Sequence, residues 1–457
     1  MLESIQVKVP TFVDNKVNIR DFGAVSDGKT LNTEAINAAV EACAAAGGGQ
    51  VIIPKGLWLT GPIILKSGIN LHVEAGAVVL FTPNYEQYPL RKVSLNGVEH
   101  VMVTSPIYGE DLENIAITGS GVFDGSGHCW RPVKRFKMTD KQWRELTASG
   151  GVVDSDGEIW WPNVEAMEGA EKLRQLMVKK APLTEYDAVR VYLRPRLMNL
   201  INCRVVLIDG PTFQNSPMWN LHPILCEDIT LRNITVRNPW YSQNGDGLDL
   251  ESCRNAVVEN SVFDVGDDAI CLKSGKDEIG RKIGVPTENV VIRDCRVYHG
   301  HGGFVIGSEM SGGVRNIWVT GCQFIGTDVG LRFKSTRGRG GVVENVWIDS
   351  IDMVNIDGPA ILFDMYYEVK PDEKKVMPVT EETPKFRNVS MKNVICRGAD
   401  IGIFVRGLPE MPVRNLTFEN VSITSDQGIQ TIYAEAVEFK QVLVEDPNGK
   451  VLFDSEA

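Results

Sequence analysis

The sequence lacks features that would place it in several broad classes of protein. Its 457 residues contain no apolar run of the roughly eighteen residues that a membrane span requires. Basic residues are in deficit, with 47 Lys and Arg against 59 Asp and Glu and a net charge of −12. Nucleic-acid binding needs a basic face. We therefore expect neither a membrane nor a nucleic acid as partner, although a few cations gathered in one cleft can still bind an anion.

Disulfide and metal-binding patterns are also missing. The nine cysteines are an odd number and show no C-x-x-C spacing, so we expect buried, reduced thiols, with neither a metal nor another cofactor. Residues 1–13 lack the basic start and continuous apolar stretch of a secretory signal. A complete chain would thus be cytoplasmic, whereas removal of a signal would make it secreted or periplasmic. No pattern predicts an oligomeric state.

The most regular feature is a repeated phrase in which Asn or Asp precedes alternating apolar and polar residues. Its first residues are Asn114, Asp228, Asn255, Asn289, Asn316, Asn345, Asn388 and Asn415. Five of the seven intervals between these residues are 27 to 34 residues long, which is typical of a solenoid. The phrases leave no room for a helix in each repeat and lack regular leucines, which favours stacked β-coils. We predict an all-β fold, a parallel β-helix, in which residues 1–457 form a single domain.

A helix is predicted near the N-terminus. Ile36, Ala39, Val40 and Cys43 are spaced as one face of a helix that follows Asn32, an N-cap type of residue. Glycines 47–49 end this pattern. Because an open solenoid end templates aggregation, we expect the helix to cap the first coil.

A second departure from the repeat extends from about residue 125 to 186. Thr139 and Gln142 are spaced as a capping box, and a further helix is indicated by Val164, Met167, Leu173, Leu176 and Met177. We predict a helical insertion packed on the coil. Its tryptophans either hold it there or stack on a ligand ring; they are Trp130, Trp143, Trp160 and Trp161.

Four polar clusters fall in consecutive coils: Asn244-Gly-Asp246, Gly266-Asp267-Asp268, Gly300-His301-Gly302 and Arg332-Phe-Lys334. Asp267 and His301 each lie twelve residues after the first residue of their own phrase. Equal offsets predict vertical neighbours, about 4.8 Å apart. Asp246 and Lys334 each lie eighteen residues after theirs, beyond a turn, so their register stays open.

The clusters together carry a specific chemistry, although each alone is most simply a solvated turn or strand face. Glycoside hydrolysis requires one protonated carboxyl group and one ionised carboxylate. Neighbouring aspartates separate in pKa because like charges repel. Arg332 and Lys334 suit a sugar that carries its own carboxylate. The four clusters therefore predict an acid, a base and a uronate-binding pair.

In order and spacing, these clusters resemble the signature motifs of the polygalacturonases, glycoside hydrolase family 28. The segment from Asp21 to Lys29 is similar to the opening of pectinase-type β-helices, and the resemblance extends from about residue 17 to at least 430. Two residues depart from the motifs: Gly245 stands where Thr is usual, and Phe333 replaces an aliphatic residue. Neither change removes a chemical group.

The resemblance implies a right-handed β-helix that hydrolyses α-1,4-linked galacturonate with inversion and without a cofactor. Its implied roles are as follows: Asp267 is the general acid, Asp246 and Asp268 hold and deprotonate the water, His301 tunes the acid, Arg332 and Lys334 bind the substrate carboxylate, and Asn244 positions the sugar. Tyr366 or Tyr367 either contacts the sugar or packs.

The segments 246–253 and 307–313 resemble the bacterial exo-acting branch of the family. In that branch inserted loops close one end of the groove, and the 125–186 insertion is our candidate for this closure. The expected partner is an acidic polysaccharide or oligosaccharide, cut from its non-reducing end. Three alternatives stay open: a hydrolase of rhamnogalacturonan or another decorated pectin, a pectate lyase on the same fold, and a non-catalytic binding module.

Overall fold

The computed structural model describes residues 5–372 and 374–456, which form a parallel β-helix. One sheet contains 22 strands and another contains eleven. All strand pairs in the eleven-stranded sheet are parallel, as in Leu248–Glu251 beside Asp268–Lys273. The predicted all-β solenoid is therefore confirmed. Within the described residues, no helix has the length and apolar character to cross a membrane.

The eleven-stranded sheet consists of Ile63–Ile64, Ile107–Glu110, Met198–Ile201, Leu221–Ile224, Leu248–Glu251, Asp268–Lys273, Gly302–Ile306, Leu331–Lys334, Pro359–Asp364, Ile401–Arg406 and Gln427–Ile432. The 22-stranded sheet consists of Lys16–Asn18, Gly49–Ile53, Gly56–Thr60, Ile69–Val73, Ala77–Phe81, Glu113–Gly119, Val122–Asp124, Arg204–Asp209, Thr212–Gln214, Glu227–Arg232, Thr235–Arg237, Arg254–Glu259, Val262–Asp264, Thr287–Arg293, Arg296–Tyr298, Val314–Thr320, Gln323–Ile325, Val342–Val354, Lys385–Arg397, Val413–Thr424, Ala434–Glu445 and Val451–Asp454.

The remaining elements are shorter and lie outside the two sheets. A hairpin is formed by Leu90–Leu95 and Val98–Val103, and a three-stranded sheet by Val133–Lys134, Val152–Val153 and Ile159–Trp161. The α-helices are α1 Thr33–Ala45, α2 Asp140–Ala148, α3 Val164–Val178, α4 Arg190–Leu193 and α5 Asp277–Ile283. The 3₁₀ helices are Ile19–Phe22, Tyr85–Gln87, Gly127–Cys129, Arg135–Lys137 and Leu183–Val189.

One continuous apolar core fills the coil from Ile19 to Val444. Alternation along each strand builds it, since Ile317 and Val319 point inward and lie in register with Val346 and Ile348 of the next coil. Aromatic rings stack in the same way; the centroids of Phe333 and Phe363 are 4.3 Å apart. All nine cysteines are free, and all except Cys129 are buried, as expected.

The repeated Asn or Asp residues are explained by backbone geometry. Every one of the eight has a positive φ, between 55° and 57°, a conformation that Asn and Asp tolerate better than other side chains with a Cβ. From Asn255 to Asn415 the side-chain amides also form a ladder, in which each donates to the previous one at 2.9 to 3.4 Å. In one coil the phrase cannot be recognised from the sequence, because Val205, which has the same φ of 55°, stands where the other coils have Asn or Asp.

Helix α1 covers the N-terminal coil with the predicted face. Ile36, Ala39, Val40 and Cys43 are all buried. Asn32 occupies the N-cap position but makes no side-chain cap. Its amide instead binds the preceding loop, accepting from the Val25 N–H at 2.7 Å and donating to the Leu59 carbonyl at 3.1 Å.

The insertion contains the predicted helices, with two corrections. Helix α2 begins with the Thr139–Gln142 capping box. Helix α3 is present, and Leu176 of the predicted apolar set is buried, but Val164 and Met177 are exposed and the small residues Ala166 and Gly169 are buried instead. Small residues face inward because the helix approaches Tyr192 closely: a Cβ at position 169 would lie 2.1 Å from that of Tyr192. The non-repeat segment also continues past 186, through α4.

The tryptophans of the insertion have different environments. Trp130 and Trp160 are buried, and Trp130 makes edge contacts with Tyr85 and Tyr88. Trp161 lines a cavity described below. Packing therefore explains Trp130 and Trp160.

Candidate active site

Strand register in the eleven-stranded sheet brings Asp267 and His301 together. Asp268 pairs with Gly302, so the residues that precede them occupy equivalent turns of adjacent coils. The Nδ1 atom of His301 lies 3.1 Å from Oδ1 of Asp267. The stacking expected from their equal offsets is confirmed.

Asp246 joins the same group through a different register from the one its offset suggests. Leu248 pairs with Ile270, and the Gly247 N–H donates to the Asp268 carbonyl at 2.9 Å. Asp246 therefore lies beside Asp268. Lys334 does not share that row, because Arg332 pairs with Val305 further along the strand. Turns of unequal length between the two sheets make the shared offset of eighteen uninformative.

The three aspartates form one compact cluster. One oxygen of each carboxylate lies within 4.8 Å of one oxygen of the others. Asp246 is 3% exposed and Asp268 1%. Two cations contact Asp268: Lys334 Nζ lies 2.7 Å from Oδ2, and Arg332 Nη1 lies 3.4 Å from Oδ1. Asp268 is therefore paired with the two cations that the sequence assigns to substrate binding.

The pKa values of the other two aspartates, Asp246 and Asp267, are shifted in opposite directions. Burial raises the pKa of Asp246 well above its usual range, and the negative charges of Asp249 and Asp267 raise it further. Burial also opposes ionisation of Asp267, but the hydrogen bond from His301 and the positive charges of Lys334 and Lys137 hold its pKa below the usual value. In the unliganded protein the surroundings therefore favour a proton on Asp246 over one on Asp267.

Tyr367, and not Tyr366, faces the basic pair. Lys334 Nζ lies 4.7 Å from the centroid of the Tyr367 ring, and the Arg332 guanidinium lies 5.8 Å from it. Tyr366 is 3% exposed and packs under Arg337 and Arg406. Tyr367 is therefore the tyrosine able to contact a ligand held by Arg332 and Lys334.

Sequence reasoning missed a buried network next to the cluster. Lys273 Nζ lies 3.1 Å from Glu309 Oε2, 3.5 Å from Asp249 Oδ1 and 3.9 Å from Asp246 Oδ2. Burial raises the pKa of Asp249 to about 8. The position of Asp249 could have indicated this network, because Asp249 is a charged residue on a strand of the coil, three residues after Asp246.

A cavity of about 680 Å³ opens beside the cluster. Residues from the coil, including Asn244, Glu251 and Glu309, form its floor. The insertion and the hairpin form its walls; the lining residues there include Lys134, Trp161, Arg194, Arg196 and His100. The contribution of the hairpin was not predicted.

Asn244 is fixed at the cavity by the segment that follows the insertion. Its φ is 53°, and its side-chain oxygen accepts a hydrogen bond from Arg194 Nη2 at 2.8 Å. Arg194 also donates to the Gln243 carbonyl at 3.0 Å. Arg194 therefore holds Asn244, which lines the cavity, in place.

The insertion also reaches the opposite edge of the cluster. Lys137 Nζ lies 3.1 Å from His301 Nε2 and 3.0 Å from the Gly266 carbonyl oxygen. No motif indicated this contact, because 164 residues separate Lys137 from His301 in sequence.

Comparisons with known proteins agree with the site. A model described as glycosyl hydrolases family 28 matches residues 133–441, and one described as rhamnogalacturonase A/epimerase, pectate lyase-like, matches residues 16–127. A hyperthermoactive exopolygalacturonase from Thermotoga maritima, of known crystal structure, is 34% identical; the alignment covers 97% of this chain and 95% of that one, with a TM-score of 0.82.

Curated relatives are similar over much of the chain. A probable polygalacturonase from Vitis vinifera is 27% identical over 93% of this chain and 77% of its own length. An exo-poly-alpha-D-galacturonosidase from Dickeya chrysanthemi is 27% identical over 84% of this chain and 62% of its own length. Since the family model spans more than half of the chain and the Thermotoga enzyme aligns with almost all of it, this protein belongs to glycosyl hydrolase family 28 and is a glycosidase.

Proposed function

We propose that the protein hydrolyses α-1,4-linked galacturonate from the end of pectic oligosaccharides. One observation carries the proposal: three carboxylates lie within 4.8 Å of one another, beside Arg332 and Lys334 and next to a walled cavity. The carboxylates supply acid and base, and the cations bind the carboxylate that distinguishes a uronic acid from a neutral sugar.

In the proposed reaction, substrate binding redistributes the proton of the cluster. The substrate carboxylate pairs with Arg332 and Lys334, which neutralises part of the positive charge that keeps Asp267 ionised. The pKa of Asp267 then rises, and the proton moves to it from Asp246. Asp267 donates this proton to the glycosidic oxygen as the bond from that oxygen to the anomeric carbon breaks. The ionised Asp246 and Asp268 hold the attacking water and accept its proton.

The stereochemical outcome is an independent part of the proposal. Carboxyl pairs of most inverting enzymes are about 6.5–9.5 Å apart, because a water must fit between them. Here the nearest oxygens are within 4.8 Å, so the water must lie beside the pair formed by Asp246 and Asp268. We propose inversion by this arrangement. Proton NMR of the first product should show the β-anomer; an initial α-anomer would mean retention.

The walls of the cavity favour the exo mode. Residues of the insertion and the hairpin line the cavity together with Asn244, and we infer that they limit the groove to a chain end. The names of the Thermotoga and Dickeya relatives both describe exo-acting enzymes.

Product analysis on defined substrates tests the function directly. Trigalacturonate and polygalacturonate should both release short galacturonides progressively from the non-reducing end, while the length of the remaining polymer falls slowly. An early mixture of many lengths from the polymer would contradict the exo mode.

Parallel assays separate the alternatives. Release of reducing sugar from rhamnogalacturonan but not from polygalacturonate would favour the decorated-pectin alternative, to which the match of residues 16–127 is relevant. An ultraviolet increase from an unsaturated product would indicate a lyase. Binding of galacturonides without any cleavage would indicate a binding module.

A further inference from the structure

Lys137 belongs to the insertion but lies among the residues of the coil cluster. It ends the 3₁₀ helix Arg135–Lys137. This turn is held in place on its N-terminal side, where Val133–Lys134 pairs with Ile159–Trp161 and the Arg135 N–H donates to the Glu158 carbonyl at 2.8 Å. The insertion therefore delivers one ammonium group, at a fixed place, to the edge of the active site.

The contacts of that ammonium group determine where the proton of His301 resides. A lysine ammonium group has three donors and no acceptor. At 3.1 Å from His301 Nε2, it can only donate, so Nε2 must carry the lone pair. The ring proton is then on Nδ1, which lies 3.1 Å from Asp267 Oδ1 and donates to it.

We propose that Lys137 is a positioning residue that holds His301 neutral, with its proton on Nδ1 and directed at Asp267. This inference deepens the proposed function, on which its catalytic consequence rests. Its structural content, the tautomer and charge of one imidazole ring, can be measured whether or not galacturonate is the substrate.

The charged groups around His301 explain why a neutral ring requires a cation beside Nε2. Asp267 faces Nδ1 from the preceding coil, and Asp328 faces Nε2 from the following one at 3.6 Å. Arg332 donates to the His301 carbonyl at 3.2 Å. Without Lys137, two carboxylates would flank the ring and favour the imidazolium ion. Lys137 opposes this by occupying the lone pair of Nε2 and by adding a like charge beside it.

The charge of the ring matters to the acid. A neutral imidazole orients Asp267 through one hydrogen bond and still permits this carboxyl group to take up a proton. An imidazolium ion at the same distance would add a full positive charge and hold Asp267 ionised. The charge of Lys137 itself also lowers the pKa of Asp267, but less than a charged His301 would. By keeping the ring neutral, Lys137 thus preserves the capacity of Asp267 to donate a proton.

The test compares Lys137→Met with Lys137→Arg, which retains a donor for Nε2. Lys141→Met, in the exposed part of α2, is the control for loss of a lysine from the insertion. The protein is labelled with ¹⁵N-histidine, and the His301 signals are assigned by comparison with His301→Gln. The ring should be in the neutral Nδ1–H form in the wild type, in Lys137→Arg and in Lys141→Met. Lys137→Met should show the imidazolium form at the same mildly acidic pH.

The kinetic arm uses the pH profile of kcat on trigalacturonate. Lys137→Met should lower kcat about tenfold, which is part of the roughly 10²–10⁴-fold that general acid catalysis contributes. It should also move the alkaline limb of the pH profile to lower pH and leave KM nearly unchanged. Lys137→Arg should restore most of this loss. An identical ring state in the wild type and in folded Lys137→Met would overturn the proposal. Absence of galacturonide cleavage by the wild type would instead overturn the proposed function, while the NMR comparison would still decide the tautomer.

Discussion

Asp267 illustrates how a single residue acquires its chemistry from neighbours in three other segments of the chain. His301, Lys334 and Lys137 lower its pKa against the effect of burial. The sequence indicated Asp267 and His301 because both lie at the same place in consecutive repeats. It did not indicate Lys137, whose position depends on how the insertion folds back.

Replacement of Asp267 by Asn should abolish proton donation while retaining the shape of the site. We expect kcat to fall by about 10²–10⁴-fold with a small change in KM, because Arg332 and Lys334 remain. Release of reducing ends from trigalacturonate measures this. Asp264→Asn is a matched control, since Asp264 is 46% exposed and contacts His299; equal losses in the two variants would contradict the acid role.

Asp249 gives a pH dependence of stability with a defined sign. Its pKa is raised to about 8 in the folded protein by burial, whereas an unfolded Asp titrates near about 3.9. The folded state therefore binds more protons between these values, and its contribution to stability falls as pH rises from about 4 to 8.

Asp249→Asn should remove this slope. We expect the melting temperature of the variant to change less than that of the wild type between pH 5 and pH 8, and to be the higher of the two at pH 8. Thermal unfolding followed by circular dichroism at several pH values provides the measurement. Parallel curves for the two proteins would show that Asp249 does not titrate in this range.

At the scale of elements, the strands of the coil could be predicted from the sequence more completely than the insertion and the hairpin packed on it. The Asn phrases reveal the strands because a residue near the start of each strand has a positive φ, which is a local constraint. Val164 and Met177 were wrongly included in the apolar set of α3, because the inward face depends on which surface meets the helix, and here Tyr192 leaves room only for Gly169. The hairpin was missed because it lacks the repeated phrase.

The asparagine ladder predicts a stability difference between two substitutions at one rung. Asn316 donates to Asn289 at 3.2 Å and accepts from Asn345 at 3.4 Å. Asn316→Ala loses both bonds and puts, at a φ of 57°, a residue that tolerates this conformation less well than Asn does, so it should lower the free energy of unfolding by about 2–4 kcal/mol.

Asn316→Gly loses the same bonds but tolerates the backbone conformation, so we expect a smaller cost of about 1–3 kcal/mol. Chemical denaturation of both variants gives the comparison. If the glycine variant were the less stable one, the backbone explanation of the phrase would be wrong.

At the scale of the whole molecule, an acidic protein must bind an acidic substrate. The net charge of −12 repels a polyanion at long range, whereas Lys334, which is 4% exposed, attracts a carboxylate at short range. Salt weakens the first effect more than the second, because exposed charges are screened more strongly than buried ones.

We therefore expect kcat/KM for polygalacturonate to rise several-fold as ionic strength increases from about 0.01 to 0.15 M, over which the Debye length falls from about 30 to 8 Å. Trigalacturonate, with less charge, should show a smaller rise and serves as the control substrate. Steady-state kinetics at constant pH provides the measurement. A fall for the polymer would mean that local attraction dominates association.

The sequence by itself determined the stacked coil and the contact of Asp267 with His301, because both follow from a repeat that recurs along the chain and fixes which residues lie above one another. It also determined the capping helix, through the helical spacing of one apolar face. Only the tertiary structure decided the lateral arrangement: the alignment of Asp246 with Asp268, the network around Lys273, the walls of the cavity and the contact of Lys137 with His301. These depend on turn lengths and on how non-repeating segments pack, and no local pattern of residues encodes a distance between segments that are not in register.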